Sequence, residues 1–384
     1  MTTNQLIALA TIAFCSAGSA FAQTWTQTSA PNASWGCIAS SADGSKVVAI
    51  PTSGGAWTST NSGVDWTSNS LPSANWIGVA SSADGNRLAA VMGYPSVGPI
   101  YTSTNSGLTW VSNNISGQFA SIASSADGEK LVADTTSGSG AGAVWTSTNG
   151  GLNWVSNNVP GSFHTYLSAA SSADGSRLLV GSYVGFLYTS TNSGLTWRTN
   201  NLPSGIWQAV AASAGGTKLA AAISYGEIYT STNTGKTWIT NNVPSDSWGS
   251  LASSADGTRL AATSFNIYTS TNSGSNWISN AAPRLSWGTV ASSADGDKLF
   301  ALAKGGGIWT AQSTPSPHLD IQPANGTNYL SWTMPSTNFM MQESSNLVTW
   351  SAVTNLPVLN LTNLQNQIAL PASAEQGFYR LSTP

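Results

Sequence analysis

Three acidic residues in this chain of 384 residues, Asp134, Glu227 and Asp246, stand outside the motifs that recur along the sequence. Two carboxyl groups held about 5–10 Å apart can cleave a glycosidic bond, one as the acid and the other as the nucleophile or base. The three residues are far apart in the sequence, which leaves their separation in space open. They are therefore candidates either for hydrolysis or for polar contacts with a bound ligand.

Aromatic residues form a second candidate set, because one recurs about every 40 residues at the start of a strand-like run. Aromatic side chains arranged around a channel can stack on sugar rings or hold an apolar peptide. The alternative is that they wedge between neighbouring structural units, and the sequence favours this packing role. The set comprises Trp35, Trp76, Phe119, Tyr166, Trp207, Trp248 and Trp287.

Two further residues, His164 and Arg284, break the pattern of the same connections and complete the candidate binding set. His164 and His318 are the only histidines and no Cys/His cluster is present, so the sequence predicts no transition-metal site and no cofactor. The formal net charge is −3 and no basic run occurs, which argues against a nucleic-acid partner.

Two sequence motifs recur along residues 23–313 and define the elements that carry these candidates. The first motif, Ser-Ser-Ala-Asp-Gly, occurs six times, and a degenerate copy at 212–216 fills a seventh place. The second motif, Ser-Thr-Asn-Ser-Gly-x-x-Trp or close to it, also occurs six times, and we call it the Asn box. The acidic residues of the first motif are Asp43, Asp84, Asp127, Asp174, Asp256 and Asp295, and the asparagines of the second are Asn61, Asn105, Asn149, Asn192, Asn233 and Asn272.

A fragment of the repeat at the N-terminus indicates how the repeats are joined into a ring. A Trp followed six residues later by Pro ends most repeats, and one copy, Trp25 with Pro31, precedes the first complete repeat. The last repeat stops after residue 310 without this segment. An N-terminal strand that completes the last sheet would remove the open edge between the two ends of the ring. The sequence therefore predicts an all-β chain in which residues 23–313 form a seven-bladed β-propeller with N-terminal strand closure.

Each repeat divides into four short strand-like runs that are joined by tight turns. Asp-Gly joins the first run to the second, and Asn-Ser-Gly joins the third to the fourth, where Gly and Asn tolerate positive φ. Because neighbouring strands are antiparallel, both kinds of turn lie on one face of the propeller. The connections that vary between repeats, such as residues 134–143, lie on the opposite face, which we call the variable-loop face. Variable loops on a rigid scaffold usually carry binding, so this face is the predicted binding surface. Tyr94, Tyr183 and Tyr225 are also expected on it.

The Asn box at residues 59–66, Ser-Thr-Asn-Ser-Gly-Val-Asp-Trp, resembles the Asp-box, or BNR repeat, of sialidase-like propellers. Whole repeats also resemble those of photosystem II assembly-factor and sortilin-type propellers. The departure is that Asn61 and its equivalents stand where the family usually has Asp. The resemblance implies a propeller fold and no particular reaction, because the motif is a structural hairpin in enzymes and non-enzymes alike.

The positions of the arginines within the repeats indicate whether a sialidase-like active site is expected. A sialidase-like site would need several arginines gathered around one substrate carboxylate. Arg87, Arg177 and Arg259 instead occupy one repeat position, two residues after the Asp-Gly turn, where the other repeats have lysine. We therefore interpret them as solvated residues of a repeat position and not as a convergent clamp.

The two ends of the chain differ from the repeats. Residues 1–22 have the layout of a cleaved secretory signal peptide, with an apolar stretch that ends in Ala20-Phe21-Ala22. No later segment is apolar over the roughly 18 residues that a membrane span needs. Residues 314–384 indicate a linker and a small C-terminal β-sandwich that resembles fibronectin-type or immunoglobulin-like modules. Cys37 is the only cysteine left after removal of residues 1–22, so no intramolecular disulfide is expected.

Together these features favour a secreted, monomeric, non-catalytic binding or assembly propeller, located outside the cell or in the periplasm or cell envelope. Its predicted partner is a glycan or a protein that is held on the variable-loop face. Two alternatives stay open. One is an extracellular sialidase-like glycoside hydrolase or lyase, and the other is a structural envelope protein without a small ligand.

Overall fold

The computed structural model describes residues 25–136, 142–160, 165–312, 319–324, 327–333, 340–344, 349, 351–355, 357–360, 362, 365–371 and 378–382. The regular elements of these residues are all β-strands, which confirms the all-β prediction. Within the same ranges, no helix is long and apolar enough to cross a membrane. The predicted signal peptide, His164 and His318 lie outside the described residues.

Four-stranded antiparallel sheets repeat along the chain, and we number them in sequence order. Strand β1 (Trp25–Gln27) precedes the first of them. Sheet 1 joins β2 (Trp35–Ser40), β3 (Val47–Pro51), β4 (Trp57–Ser59) and β5 (Thr67–Ser68). Sheet 2 joins β6 (Trp76–Ser81), β7 (Leu88–Met92), β8 (Gly98–Ser103) and β9 (Val111–Gly117). Sheet 3 joins β10 (Phe119–Ser124), β11 (Leu131–Thr135), β12 (Val144–Ser147) and β13 (Val155–Asn157).

The next sheets follow the same order of strands. Sheet 4 joins β14 (Tyr166–Ser171), β15 (Leu178–Ser182), β16 (Leu187–Ser190) and β17 (Arg198–Thr199). Sheet 5 joins β18 (Trp207–Ala212), β19 (Leu219–Ile223), β20 (Ile228–Ser231) and β21 (Ile239–Thr240). Sheet 6 joins β22 (Ser250–Ser253), β23 (Leu260–Thr263), β24 (Ile267–Ser270) and β25 (Ile278–Ser279). Sheet 7 joins β26 (Trp287–Ser292), β27 (Lys298–Ala303), β28 (Ile308–Gln312) and the N-terminal strand β1.

The first strands of sheets 1 to 7 surround a common axis. Each of these strands contacts the first strand of the next sheet, and β26 contacts β2 in the same way. The alanine of each Ser-Ser-Ala tract, or of its counterpart in sheet 5, donates its backbone N–H to the equivalent carbonyl one sheet further on, at 2.6–2.8 Å. The members of this alanine ring are Ala42, Ala83, Ala126, Ala173, Ala214, Ala255 and Ala294, and the last of them donates back to the first. A ring of radiating antiparallel sheets is a β-propeller, as the sequence predicted.

The alanine ring borders a cavity on the axis of the propeller. The cavity has a volume of about 160 Å³ and is lined by serine and alanine side chains of the recurring tracts. The ring alanines are 5–8% exposed, so their methyl groups fill the space where the inner strands converge. Larger side chains would collide there, because protein interiors are already close-packed. This explains why small residues recur at these positions.

Strand β1 joins the two ends of the repeat region. It pairs antiparallel with β28, where Trp25 lies opposite Ala311 and Gln27 lies opposite Trp309. Trp25 is 6% exposed, and its ring centroid lies 5.9 Å from that of Trp287. Residues from both ends of the repeat region therefore share one sheet and one apolar core.

The Asn boxes form hairpins that are held by side-chain hydrogen bonds. In the box of sheet 4, Ser190 Oγ accepts the N–H of Gly194 at 2.9 Å and donates to Asn192 Oδ1 at 3.0 Å. Asn192 Oδ1 also accepts the N–H of Thr196 at 2.9 Å, and its Nδ2 donates to Thr196 Oγ1 at 2.9 Å. Asparagine thus supplies the acceptor oxygen of the turn and adds a donor that aspartate lacks.

A basic residue after each Asp-Gly turn, and after Gly215-Gly216 in sheet 5, connects neighbouring sheets. We call these seven side chains the latch residues, because each packs its stem against the turn glycine of the next sheet. Arg87, for example, lies against Gly128 and pairs with Glu129 at 2.7 Å. The set comprises Lys46, Arg87, Lys130, Arg177, Lys218, Arg259 and Lys298. Three of them are the arginines considered for a sialidase-like clamp, and the structure distributes them over separate sheets, where each contacts its neighbour.

The described residues after 318 form two further sheets. The first joins β29 (Asp320–Ala324), β30 (Thr327–Thr333), β34 (Gln365–Pro371) and β33 (Val358–Asn360). The second joins β32 (Ser351–Ala352), β31 (Met340–Ser344) and β35 (Phe378–Ser382). Leu330 and Ile368 of the first sheet share an apolar core with Met341 of the second, so the two sheets pack together.

Candidate functional site

The aromatic residues at the strand entries are buried between sheets. Each lies at or just before the first residue of an inner strand, and their exposed fractions range from 0 to 4%. Trp76, for instance, packs against Ile50 of the preceding sheet. In this position a side chain cannot stack on a ligand, so the structure places the set in the packing role. Its members are Trp35, Trp76, Phe119, Tyr166, Trp207, Trp248 and Trp287.

Two of these tryptophans also fix loops of the variable-loop face. The indole N–H of Trp207 donates to the carbonyl oxygen of Gly185 at 3.1 Å, and that of Trp248 donates to Gly226 at 2.8 Å. Gly185 and Gly226 each lie between the second and third strands of the preceding sheet. A buried wedge residue thus positions the neighbouring surface loop.

Asp134 is a fully buried carboxyl group between sheets 3 and 4. Its Oδ2 accepts the hydroxyl of Ser121 at 3.0 Å, whereas Oδ1 has no partner among the described residues. Burial raises the pKa of Asp134 to about 7, although the hydrogen bond from Ser121 favours the ionised form. Burial, together with the neighbouring Tyr188 and Asp134, also raises the pKa of Tyr166 above its usual range. Asp134 therefore lies inside the protein and not on the predicted binding surface.

Asp246 connects two adjacent loops of the variable-loop face. Its Oδ1 accepts the N–H of Ser247 at 2.7 Å, and its Oδ2 accepts the hydroxyl of Ser264 at 2.7 Å. Its backbone also forms an antiparallel bridge with Gly226. Asp246 therefore ties the loop after β19 to the loop after β23.

The structure separates the three candidate carboxylates into two locations. Glu227 is half-buried next to Gly226, the residue that bridges to Asp246, and its Oε2 accepts the hydroxyl of Tyr229 at 3.4 Å. Asp134 lies at a different interface. Arg284 is exposed in the connection between sheets 6 and 7. Within the described ranges, no group of three His, Cys, Asp or Glu side chains is placed to hold a metal ion.

Exposed apolar side chains mark the same loops of sheets 4 to 6. Tyr183 is 48% exposed, Val184 67%, Tyr225 80% and Phe265 54%. We call these four residues the aromatic patch. The two tyrosines were recognisable in the sequence as residues of the predicted face, whereas Phe265 and Val184 were not identified. Phe265 could have been found because it follows the second strand of its sheet at nearly the same place as Tyr183 and Tyr225.

Hydrogen bonds of backbone and side-chain groups join the loops of the patch into one surface. The loop of sheet 4 pairs with the following connection through Gly185 and Gly205, whose amides donate to each other's carbonyl oxygens at 3.2 and 2.9 Å. The next residue of that connection, Ile206, accepts the N–H of Ser224 at 2.9 Å. Asp246 extends the link from the loop of sheet 5 to that of sheet 6. The patch is therefore carried by three loops that are fixed to one another.

Comparisons with known proteins bear on the fold. No protein-family model and no curated protein matches the chain. The structure of YCF48 bound to D1 peptide is 17% identical, with a TM-score of 0.57 over 76% of this chain and 97% of that chain. The β-propeller domain of Cps50 (Swd1) from Myceliophteria thermophila is 14% identical, with a TM-score of 0.61 over 76% of this chain and 100% of that chain.

An enzyme is also among the similar structures. The GH74 xyloglucanase from Xanthomonas campestris is 15% identical, with a TM-score of 0.57, and the match covers 81% of this chain and 59% of that chain. At these identities, the likeness establishes the β-propeller fold and carries no activity, because one fold hosts many functions.

Proposed function

We propose that this chain is an exported, non-catalytic binding or assembly propeller that holds a protein or glycan partner on its variable-loop face. The observation that carries the proposal is the aromatic patch, a set of exposed aromatic and aliphatic side chains on loops that are anchored to a rigid ring. Exposed apolar side chains that cluster on a folded surface commonly mark binding sites. The structure of YCF48 with a bound D1 peptide supports a protein partner, since it is an example of a similar fold that holds a peptide.

The proposal includes the finer architecture. We propose a seven-bladed ring over residues 23–313, closed by β1, followed by a linker and a small β-sandwich over residues 314–384. The seven members of the alanine ring and the pairing of β1 with β28 support the blade count and the closure. The shared core of the two C-terminal sheets supports the sandwich. We further propose that residues 1–22 are a signal peptide, and that the protein acts as a monomer outside the cell or in the cell envelope.

A binding screen combined with a turnover assay tests this function. The chain without residues 1–22 would be applied to a glycan array and to a random peptide display library, and incubated with the same glycans to detect cleavage. Selective retention of a glycan or a peptide without turnover supports the proposal. Hydrolysis that is lost on substitution of Glu227 or Asp246 would replace it with the sialidase-like hydrolase or lyase. Failure of every ligand would favour a structural envelope protein.

A further inference from the structure

We propose that the aromatic patch is the site that takes the partner, and that its ligand is an extended peptide segment with an apolar side chain next to a lysine or arginine. This inference rests on the proposed binding function and specifies both its location and its ligand. Four features carry it: the fixed loops, the conformation of Tyr225, the chemistry of the exposed side chains and the charge around them.

The loops that carry the patch have little freedom to move. Trp248 and Asp246 both hold Gly226, the residue after Tyr225, and Asp246 also holds Ser264, the residue before Phe265. The loops that carry the exposed rings of Tyr225 and Phe265 are therefore both anchored by Asp246. Because the loops are ordered before binding, a ligand loses less affinity to their immobilisation.

Tyr225 occupies a backbone conformation that a bulky side chain rarely adopts. Its φ is +58°, in the left-handed region, and its side chain is 80% exposed. The equivalent turn of sheet 7 has Gly305 at this position, with φ +72°. Both turns close in the same way, since Gly226 donates to Ile223 and Gly306 donates to Ala303, each at 3.0 Å. Tyrosine at this strained and exposed position has no packing role that explains it, and strain of this kind is concentrated at functional sites.

The side chains of the patch fit a peptide better than a glycan. Tyrosine and phenylalanine supply large contact areas and are enriched at the centres of protein interfaces. Sugar hydroxyl groups need several free polar partners, but both carboxylate oxygens of Asp246 and Oε2 of Glu227 already accept hydrogen bonds within the protein. Val184 adds an aliphatic surface to the tyrosine beside it.

The charge around the patch favours a basic residue in the ligand. Glu227 lies two residues after Tyr225, and Asp246 bridges to the residue between them. Among the salt bridges of the described residues, neither carboxylate takes part in one. The face of an aromatic ring also attracts cations. A lysine or arginine of the ligand would therefore find an exposed ring and an acidic side chain on the same loop.

Peptide selection with matched variants tests the inference. A library of random 12-residue peptides displayed on phage would be selected on the wild-type chain without residues 1–22, and enriched peptides would be measured by fluorescence anisotropy. We expect peptides with an aromatic or aliphatic residue next to Lys or Arg, and at least tenfold weaker binding to Tyr225→Gly and to Phe265→Ser. The matched control is Tyr94→Ser, which removes a tyrosine that is 75% exposed on the loop of sheet 2 and lies outside the patch.

The Tyr225→Gly variant separates binding from folding. Glycine relieves the left-handed strain, so the melting temperature should stay the same or rise while peptide affinity falls. Peptides that bind all variants equally would place the site elsewhere and overturn the inference, although the proposed binding function would stand. Retention of glycans that is lost with the same variants would overturn the ligand class. Absence of both peptide and glycan binding would overturn the binding function itself.

Discussion

Asp134 shows how one residue can make a propeller sensitive to pH. Its place in the second strand is taken by Val91 in sheet 2 and by Gly181 in sheet 4, so a carboxyl group replaces an apolar or absent side chain. The hydroxyl of Ser121 donates to one oxygen of this carboxyl group. Among the described residues, no cation lies close enough to balance a negative charge on Asp134. Removal of a carboxylate from water favours the protonated form. Ionisation of Asp134 therefore opposes the packing of sheet 3 against sheet 4.

We expect the free energy of unfolding to fall as the pH rises from about 4, the usual carboxyl value, to about 7, the pKa of buried Asp134. In this window the unfolded chain binds fewer protons at this residue than the folded chain does, so deprotonation favours unfolding. Asp134→Asn removes the titration and should gain stability over the wild type, on the order of 4 kcal/mol at pH 8 and less than half of that at pH 5. Urea denaturation at both pH values measures the two gains. Equal gains would mean that Asp134 does not cause the pH dependence.

The asparagines of the Asn boxes differ in what their amide groups face. Nδ2 of Asn61 donates to Asp65 Oδ2 at 2.8 Å, whereas that of Asn192 donates to the hydroxyl of Thr196 at 2.9 Å. Asn61→Asp would place two carboxylates against each other and should cost about 1 kcal/mol at pH 7. Asn192→Asp leaves a hydroxyl that can rotate to donate, so its stability should stay within about 0.5 kcal/mol of the wild type.

Thermal unfolding of both variants at pH 7 checks this pair. In an Asp65→Asn background the opposing carboxylate is absent, and the penalty of Asn61→Asp should disappear. If the two variants lose the same stability at pH 7, repulsion by Asp65 is not the reason for asparagine in the first box.

The Asp-Gly turns between strands need glycine for two reasons. The first is the positive φ of the backbone, and the second is the close contact with a latch residue. Gly128 has φ +73°, and a methyl group added there would lie 2.6 Å from Cβ of Arg87 in the preceding sheet. Gly305 has nearly the same φ, +72°, but nothing lies within 4 Å of the added methyl group. The two positions therefore share the backbone requirement and differ in the contact between sheets.

Alanine at these two glycines separates the two effects. Gly305→Ala should cost about 1–2 kcal/mol, which is the price of an L-residue in the left-handed region. Gly128→Ala should cost at least about 1 kcal/mol more, because the side chain of Arg87 must leave the turn. Urea denaturation measures both losses, and the added cost of Gly128→Ala should disappear when it is measured in an Arg87→Gly background, because glycine removes Cβ of residue 87 as well. Equal losses in the two single variants would show that the latch contact does not constrain the turn.

The strands and turns could be predicted from the sequence because their signals are local. Asp-Gly and the Asn boxes specify positive φ at fixed places, and the alternating runs between them specify short strands. Contacts between repeats could not be predicted in the same way. Nothing in the local sequence of Lys130 indicates that it donates to the carbonyl oxygen of Asp174, which is 44 residues further along the chain.

The candidate site was only partly predictable for the same reason. The sequence located the variable-loop face, and it selected Asp246 as a possible carboxylate for chemistry or binding. In the structure the Asp246 carboxylate accepts hydrogen bonds from Ser247 and Ser264, and it thereby positions the loops next to Tyr225 and Phe265. Whether an aromatic residue is buried or exposed depends on strand register between sheets. For that reason the sequence selected Trp248 as a candidate binding residue, whereas the structure buries Trp248 and exposes Tyr225.

At the scale of the whole molecule, the ring depends on a strand of three residues. Sheet 7 contains β26, β27 and β28 from the end of the repeat region and β1 from its beginning. Without β1, the edge of β28 would lose its backbone partners, and the space filled by Trp25 next to Trp287 would be empty. Sheets 1 to 6 are each continuous in sequence, so this junction is where the ring can open.

Removal of residues 23–31 from the chain that lacks residues 1–22 should therefore lower the melting temperature more than any single substitution. Trp25→Ala keeps the strand but creates a cavity, and it should cost about 3–5 kcal/mol. Thr26→Ala is the matched control, because Thr26 is exposed on the same strand and its loss should stay within about 0.5 kcal/mol. A synthetic peptide of residues 23–31 should restore part of the lost melting temperature when it is added to the truncated chain. An unchanged melting temperature after truncation would refute closure by β1, since an open edge and an empty tryptophan site cannot leave stability unaffected.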